Sequence, residues 1–230
     1  MKDLKPLEES LKTQFVSKKL LEQALTHRSY LNESHEAHSS NERLEFLGDA
    51  ILSYTISDYL YREFPMYTEG ELTNLRSAIV RTTTLALVAK KLNFGHYLLL
   101  SRGEEEGGGR DNPSLLADSF ESISGAIFID QGLEAATKFI LENLIPLIPE
   151  IIEKRTYRDF KSQFQEKVQE ILRISPTYKV MKEEGPDHSK IFHIGVYVNE
   201  ELFGTGKGKS KQEAEQDAAA SGLVKWEEKR

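Results

Sequence analysis

The sequence predicts an all-α helical domain followed by a small α+β domain of order helix, strand, strand, strand, helix (α-β-β-β-α). Three observations predict it. Residues 1–154 keep apolar side chains at three- and four-residue spacing almost throughout. Residues 159–230 switch to runs that alternate apolar and polar and are rich in β-branched residues, set between two helical patterns. Between them, residues 155–158 read as a short linker. No internal repeat is present.

In the first domain the helical runs are "SLKTQF", "KKLLEQALTHRSYL", "NERLEFLGDAILSYTISDYLYREF", "GELTNLRSAIVRTTTLALVAKKL", "PSLLADSFESISGAIFID" and "LEAATKFILENLIPLIPEIIEK". Start signals accompany several. Ser39 with Glu42 and Thr68 with Glu71 have the spacing of capping boxes, and Asn112-Pro113 is a good cap and first-turn pair. The breaks are "NESHEAHSS", whose His35 and His38 read as solvated loop residues, and the glycine run "RGEEEGGGRDN". In the second domain "DFKSQFQEKVQEIL" is helical, "TYKVMKEE", "KIFHIGVYV" and "ELFGTGKG" are strands, and a Ser210/Glu213 box opens the closing helix "SKQEAEQDAAASGLVKW".

Composition narrows the chemistry. Of 230 residues, 39% are hydrophobic and 29% charged, the balance of a globular protein. The absence of cysteine excludes disulfide frameworks, thiolate metal sites and cysteine nucleophiles, and fits a reducing compartment. "MKDLKPLEES" lacks the apolar core of a signal peptide, and no run is long enough to span a bilayer, so a cytoplasmic protein with no membrane partner is expected. The net charge of −7 argues mildly against a nucleic-acid partner, although a local basic patch overrides a total.

The candidate chemistry lies in "NERLEFLGDAIL". On a helical wheel Asp49 falls about 40° from Glu45, and apolar residues surround both, which predicts a buried helix. Two carboxylates on a buried face repel each other and lose hydration, so a compensating cation is required: an arginine from another helix, or a metal. A second helix carries Asp118 and Glu121 opposite the apolar stripe Leu116, Phe120, Ile123 and Ile127, with the small residues Ser122 and Gly125 beside them. Alone, that pair reads as a solvated polar face. If the helices meet, four carboxylates outbid an arginine, and an all-oxygen site suits Mg2+ or Mn2+.

The block "NERLEFLGD" resembles the signature of bacterial ribonuclease III. "ALTHRSY", "TEGELTNLRSAIV" and "LLADSFESISGAIFID" resemble the family's other blocks in the same order, and "DFKSQFQEKVQ" to "SKQEAEQDAA" resembles its double-stranded RNA-binding domain. The resemblance covers nearly the whole chain. It implies an Mg2+-dependent endoribonuclease, with Mn2+ as a substitute, that cuts double-stranded RNA to 5′-phosphate and 3′-hydroxyl ends with short 3′ overhangs. Ribosomal RNA precursors, messenger leaders and structured small RNAs are family-like substrates. Glu45, Asp49, Asp118 and Glu121 match the catalytic, metal-holding carboxylates. Glu69 matches a further acid contributed across a homodimer, and Glu42 belongs to the same block but also reads as a cap. His27 is expected to be a structural hydrogen-bonding residue rather than a general base. The apolar helix containing Phe46, Leu47 and Ile51 is either dimer interface or core.

RNA contacts are expected from Lys207, Lys209 and Lys211 at the start of the last helix, where the helix N-terminus also attracts phosphate. Gln165, Glu166 and Gln169, with His188 in the "GPDH" loop, are expected at the flanking minor grooves. Two departures stand out. Gln212 and Glu215 occupy positions where such domains often carry lysine, and residues 159–230 hold twelve basic against thirteen acidic residues. Two other functions compete: a catalytically silent double-stranded RNA-binding regulator, and a helical phosphohydrolase acting on small molecules. The matched carboxylates disfavour the first, and the lysine-bearing α+β tail disfavours the second.

Overall fold

A computed structural model describes residues 3–33, 39–153, 159–186 and 189–228. The chain divides into two compact units, Met1–Tyr157 and Arg158–Arg230. The expected linker, residues 155–158, and the loop histidines His35 and His38 lie outside the described residues.

The first unit is helical: Lys5–Leu11 (α1), Lys18–Ala24 (α2), Glu42–Glu63 (α3), Glu69–Val80 (α4), Thr82–Lys91 (α5), Phe94–Tyr97 (α6), Arg102–Glu106 (α7), Pro113–Gln131 (α8), Leu133–Leu144 (α9) and Ile148–Glu153 (α10). Several runs that periodicity joins are broken, each for a local reason. The first helix is not "SLKTQF" but the segment ahead of it, with Pro6 in its first turn, where a missing N–H costs nothing. "GELTNLRSAIVRTTTLALVAKKL" breaks at Arg81, which is extended (φ −65°, ψ 151°). Three successive threonines follow, weak helix formers, and Thr84 turns its hydroxyl onto the Ala78 carbonyl at 2.9 Å. Pro146 and Pro149 divide the last run into α9, a 3₁₀ turn and α10. The glycine run is not wholly loop, because Ser101 caps the short α7 by accepting the Glu104 N–H.

Two start signals form as the spacing predicts. Thr68 and Glu71 make a reciprocal capping box, and Asn112 accepts from Ser114 N–H ahead of Pro113. The Ser39/Glu42 box does not form. Helix α3 starts after Asn41, and the Glu42 carboxylate instead accepts from Ser40 Oγ at 2.9 Å.

The core gathers on α8, which is buried on nearly every side rather than along one stripe. Its serines make this tolerable. Ser119, Ser122 and Ser124 are fully buried, and their hydroxyls donate to the carbonyls of Leu116, Ala24 and Phe120. Phe120 stacks on Phe139 of α9 at 5.2 Å. Helix α3 is not buried all round. Leu44, Ile51, Leu52, Ile56 and Leu60 enter the core, while Phe46 (81% exposed), Tyr54 and Tyr61 face outward. Of the residues weighed for an interface, Ile51 belongs to the core, Leu47 packs at its edge and Phe46 is free.

The second unit runs Phe160–Leu172 (α11), Thr177–Glu184 (β1), Ile191–Val198 (β2), Glu201–Gly208 (β3) and Lys211–Glu228 (α12). The antiparallel sheet has the order β1-β2-β3. Phe164, Phe203 and Trp226 cluster at 5.5–6.1 Å in its core. Alternate glycines on β3 let α12 lie flush on the strand: a Cβ on Gly206 would stand 2.1 Å from the Ala218 nitrogen. At the start of α12, Ser210 accepts the Glu213 N–H and the Glu213 carboxylate accepts from Lys209 N–H. The fold is thus a helical unit followed by the α-β-β-β-α unit that the periodicity predicts.

Candidate metal centre and RNA-binding residues

Helices α3 and α8 cross at two glycines. A Cβ on Gly48 would lie 1.8 Å from the Glu121 carbonyl oxygen, and one on Gly125 would lie 2.3 Å from the Leu44 carbonyl oxygen. Any side chain at either position would force the backbones apart. Glycine inside a helix costs about 1 kcal/mol relative to alanine, so each is kept for this approach. The crossing brings acids distant in sequence together. Ligand oxygens of Glu45, Asp118 and Glu121 all lie within 4.8 Å of one another, and all three residues are half-buried.

Asp49, one turn beyond Glu45 on α3, is exposed and stands outside that group of three, yet its charge acts on it. Burial, then Asp49, Glu45 and Asp118, push the Glu121 carboxyl up to about 8. Burial and the neighbouring acids Asp118, Glu42 and Asp49 also raise Glu45. Burial raises Asp118, and the His27 imidazole opposes that rise. The site therefore holds more negative charge than the protein neutralises, and a hard divalent cation on an all-oxygen donor set would relieve it. Among the described residues no arginine pairs with Glu45, Asp118 or Glu121, and the metal alternative of the two compensating cations is the one the donor chemistry fits.

The remaining acids stand outside the converging group. Glu69 is exposed in the first turn of α4 and accepts from Thr73 Oγ1 at 3.1 Å. Glu42 is exposed beside Arg28, at 3.7 Å. Neither belongs to the converging group. His27 makes the hydrogen bonds expected of it: its Nδ1 lies 2.8 Å from Ser29 Oγ, which in turn accepts from Ser101 N–H at 3.0 Å. Periodicity did not single out Gly48 or the strap at residues 24–27. That strap ties both acid-bearing helices, since Ser122 Oγ donates to Ala24 O at 2.7 Å and Asn41 N–H to Thr26 O at 2.8 Å. A glycine in mid-helix, three residues from an acid, was the legible signal for the first.

In the second unit Gln165, Glu166 and Gln169 are exposed on α11, opposite the buried Phe164 and Val168. Gln169 donates to Ser175 Oγ at 2.9 Å. Lys207, Lys209 and Lys211 are exposed around the start of α12, and Lys211 reaches over the Phe192 ring at 5.7 Å. His188 lies outside the described residues. Glu215, one of the two departures, is in structural use, since it pairs with Lys161 of α11 at 2.6 Å.

Comparison with known proteins agrees with both units. The Ribonuclease-III-like family matches residues 17–148, and the double-stranded RNA binding motif matches residues 160–225. "Ribonuclease 3" of Pelotomaculum thermopropionicum is 48% identical over 90% of this chain and 86% of its own. "Ribonuclease 3" of Borreliella burgdorferi is 45% identical over 95% of this chain and 89% of its own. The crystal structure of the nuclease domain of ribonuclease III from Campylobacter jejuni is 41% identical, with a TM-score of 0.60, over 65% of this chain and 98% of that one. A second structure of that domain, described as flexible in a region involved in dimer formation, is 40% identical with a TM-score of 0.57, over 62% of this chain and 99% of that one.

A helical nuclease unit with an acidic cluster, joined to a double-stranded RNA-binding motif, defines an endoribonuclease that acts on double-stranded RNA. The chain belongs to the ribonuclease III family, a family of metal-dependent nucleases. Among the described residues no helix is long and apolar enough to cross a membrane.

Proposed function

We propose that this chain is a homodimeric, Mg2+-dependent endoribonuclease that cuts both strands of duplex RNA and leaves 5′-phosphate and 3′-hydroxyl ends with short 3′ overhangs. Mn2+ substitutes for Mg2+. Ribosomal RNA precursors and structured messenger transcripts in the cytoplasm are its substrates. Residues 1–154 form the catalytic part and residues 159–230 the capture part, joined at 155–158. The observation that carries this reading is the convergence of Glu45, Asp118 and Glu121 at the glycine crossing of two helices.

In this reading Glu45, Asp49, Asp118 and Glu121 hold the cation. The chemistry that Mg2+ held by these residues would supply is an activated water and stabilisation of the leaving oxygen. The half-buried carboxylates hold their donor oxygens together, and the exposed Asp49 completes the set at the solvent side. Glu69 and Glu42 are secondary acids near the strand path, with Glu69 serving the partner's site. Lys207, Lys209 and Lys211 take phosphates across the major groove, while Gln165, Glu166, Gln169 and His188 touch the flanking minor grooves of a site of about 16 base pairs. Two sites related by a two-fold axis account for cutting both strands, and the free Phe46 face of α3 is suited to that axis.

The test incubates the full chain with long duplex RNA, with and without Mg2+. Cleavage only with the ion supports the proposal. Binding without cleavage would mark a silent RNA-binding regulator, and no binding would return the small-molecule phosphohydrolase. Glu121→Gln is expected to abolish cleavage while duplex affinity in Ca2+ stays nearly unchanged.

A further inference from the structure

His27 ends the strap that bonds both acid-bearing helices, Ser122 to Ala24 and Asn41 to Thr26. Its backbone N–H is fixed to Leu99 O at 3.0 Å. Its ring is fixed on one side only: Nδ1 meets Ser29 Oγ at 2.8 Å and accepts from Ser29 N–H at 3.4 Å. An accepting Nδ1 places the ring hydrogen of the neutral imidazole on Nε2. Among the described residues Nε2 makes no hydrogen bond. Residue 27 follows directly on the carbonyl that holds the start of α3, one turn before Glu45, and its imidazole lies within electrostatic reach of Asp118. A rigidly held N–H donor without a protein acceptor thus sits beside a cluster of carboxylates, which offer an approaching phosphodiester only repulsion.

We propose that His27 is a substrate-positioning residue, whose Nε2–H donates to a non-bridging phosphate oxygen of the RNA strand at the acidic site. The inference rests on the acidic cluster being the cleavage centre. Ser29 and Ser101 serve it by fixing the ring hydrogen on Nε2. A neutral donor here offsets part of the carboxylate repulsion and orients the phosphate without competing for the cation.

Two substitutions divide the ring's functions. Asparagine reproduces the Nδ1 acceptor and lacks the Nε2 donor; glutamine reproduces the Nε2 donor and lacks the Nδ1 acceptor. In the full chain, His27→Asn is expected to cut saturating duplex roughly tenfold or more slowly, the loss typical of a hydrogen bond to a charged group. His27→Gln is expected to recover most of that rate. Mn2+ binding to the RNA-free chain, followed by calorimetry, is expected to be the same in wild type and His27→Asn, with similar thermal midpoints. Wild-type cleavage by His27→Asn would overturn the inference, as would a glutamine variant no faster than the asparagine one. Weakened Mn2+ binding by His27→Asn would overturn it too, placing the residue behind Asp118 instead. Absence of saturable Mn2+ binding by the wild-type chain would overturn the acidic-centre reading itself.

Discussion

At the residue scale, Glu121 is expected to link stability to cation binding. Its carboxyl, ordinarily at 4.5, is pushed up to about 8 by burial and by three neighbouring acids. Between those values the folded, metal-free chain holds a proton that the unfolded chain has released. Stability from this group is therefore full below 4.5 and is lost as pH rises through about 8. Thermal midpoints in a chelator are expected to fall across that window, and Glu121→Gln is expected to flatten the fall. A cation must displace the same proton, so Mn2+ affinity measured by calorimetry is expected to climb with pH over the same range. Gly48 yields a second prediction. Alanine there would place a methyl 1.8 Å from a backbone oxygen, which only separation of α3 and α8 can relieve. Gly48→Ala should cost about 1–3 kcal/mol or more in urea unfolding and weaken Mn2+ binding, although it raises local helix propensity. The acids were legible because carboxylates among apolar residues need an explanation. The approach that unites them was not, because periodicity describes one helix at a time.

At the element scale, α3 shows where a one-helix reading stops. An apolar wheel predicts burial on every side, but a helix can be apolar on two faces for two different neighbours. One face of α3 carries Leu52, Ile56 and Leu60 into the core, while the other presents Phe46, Tyr54 and Tyr61 to solvent. Sequence alone cannot separate the core of a subunit from the core of a dimer, since both remove apolar area from water. An exposed phenylalanine amid tyrosines has the composition of an interface centre. Phe46→Asp should leave the fold intact, because that side chain is 81% exposed, and shift the chain toward a monomer in sedimentation velocity, with cleavage falling in parallel. A dimer that survives the substitution would move the interface elsewhere. The α4–α5 break at Arg81 had a signal in the threonine run that follows it, a competition between hydroxyl and backbone that apolar spacing ignores.

At the scale of the whole molecule, charge poses the remaining problem. A chain of net −7, whose residues 159–230 hold slightly more acids than bases, has to grip a polyanion. The structure eases this by assigning three of the acids around the start of α12 to internal tasks. Asp217 and Glu213 accept the backbone N–H groups of Lys207 and Lys209, and Glu215 pairs with Lys161. The three lysine side chains around the start of α12 remain exposed, so their local field counts for more than the total. Binding through so few cations would have few counterions to release, and its salt dependence would measure them directly. Lys207→Ala is expected to weaken duplexes of unrelated sequence alike and to reduce the slope of log affinity against log salt by about one. Removal of residues 156–230 is expected to abolish capture of long duplexes at physiological salt while slow cleavage persists at low salt, where the helical unit alone holds the substrate near its acids. Undiminished capture by the truncated chain at physiological salt would transfer RNA recognition to the helical unit. Loss of all cleavage at low salt would make the second unit indispensable to the reaction rather than to the encounter.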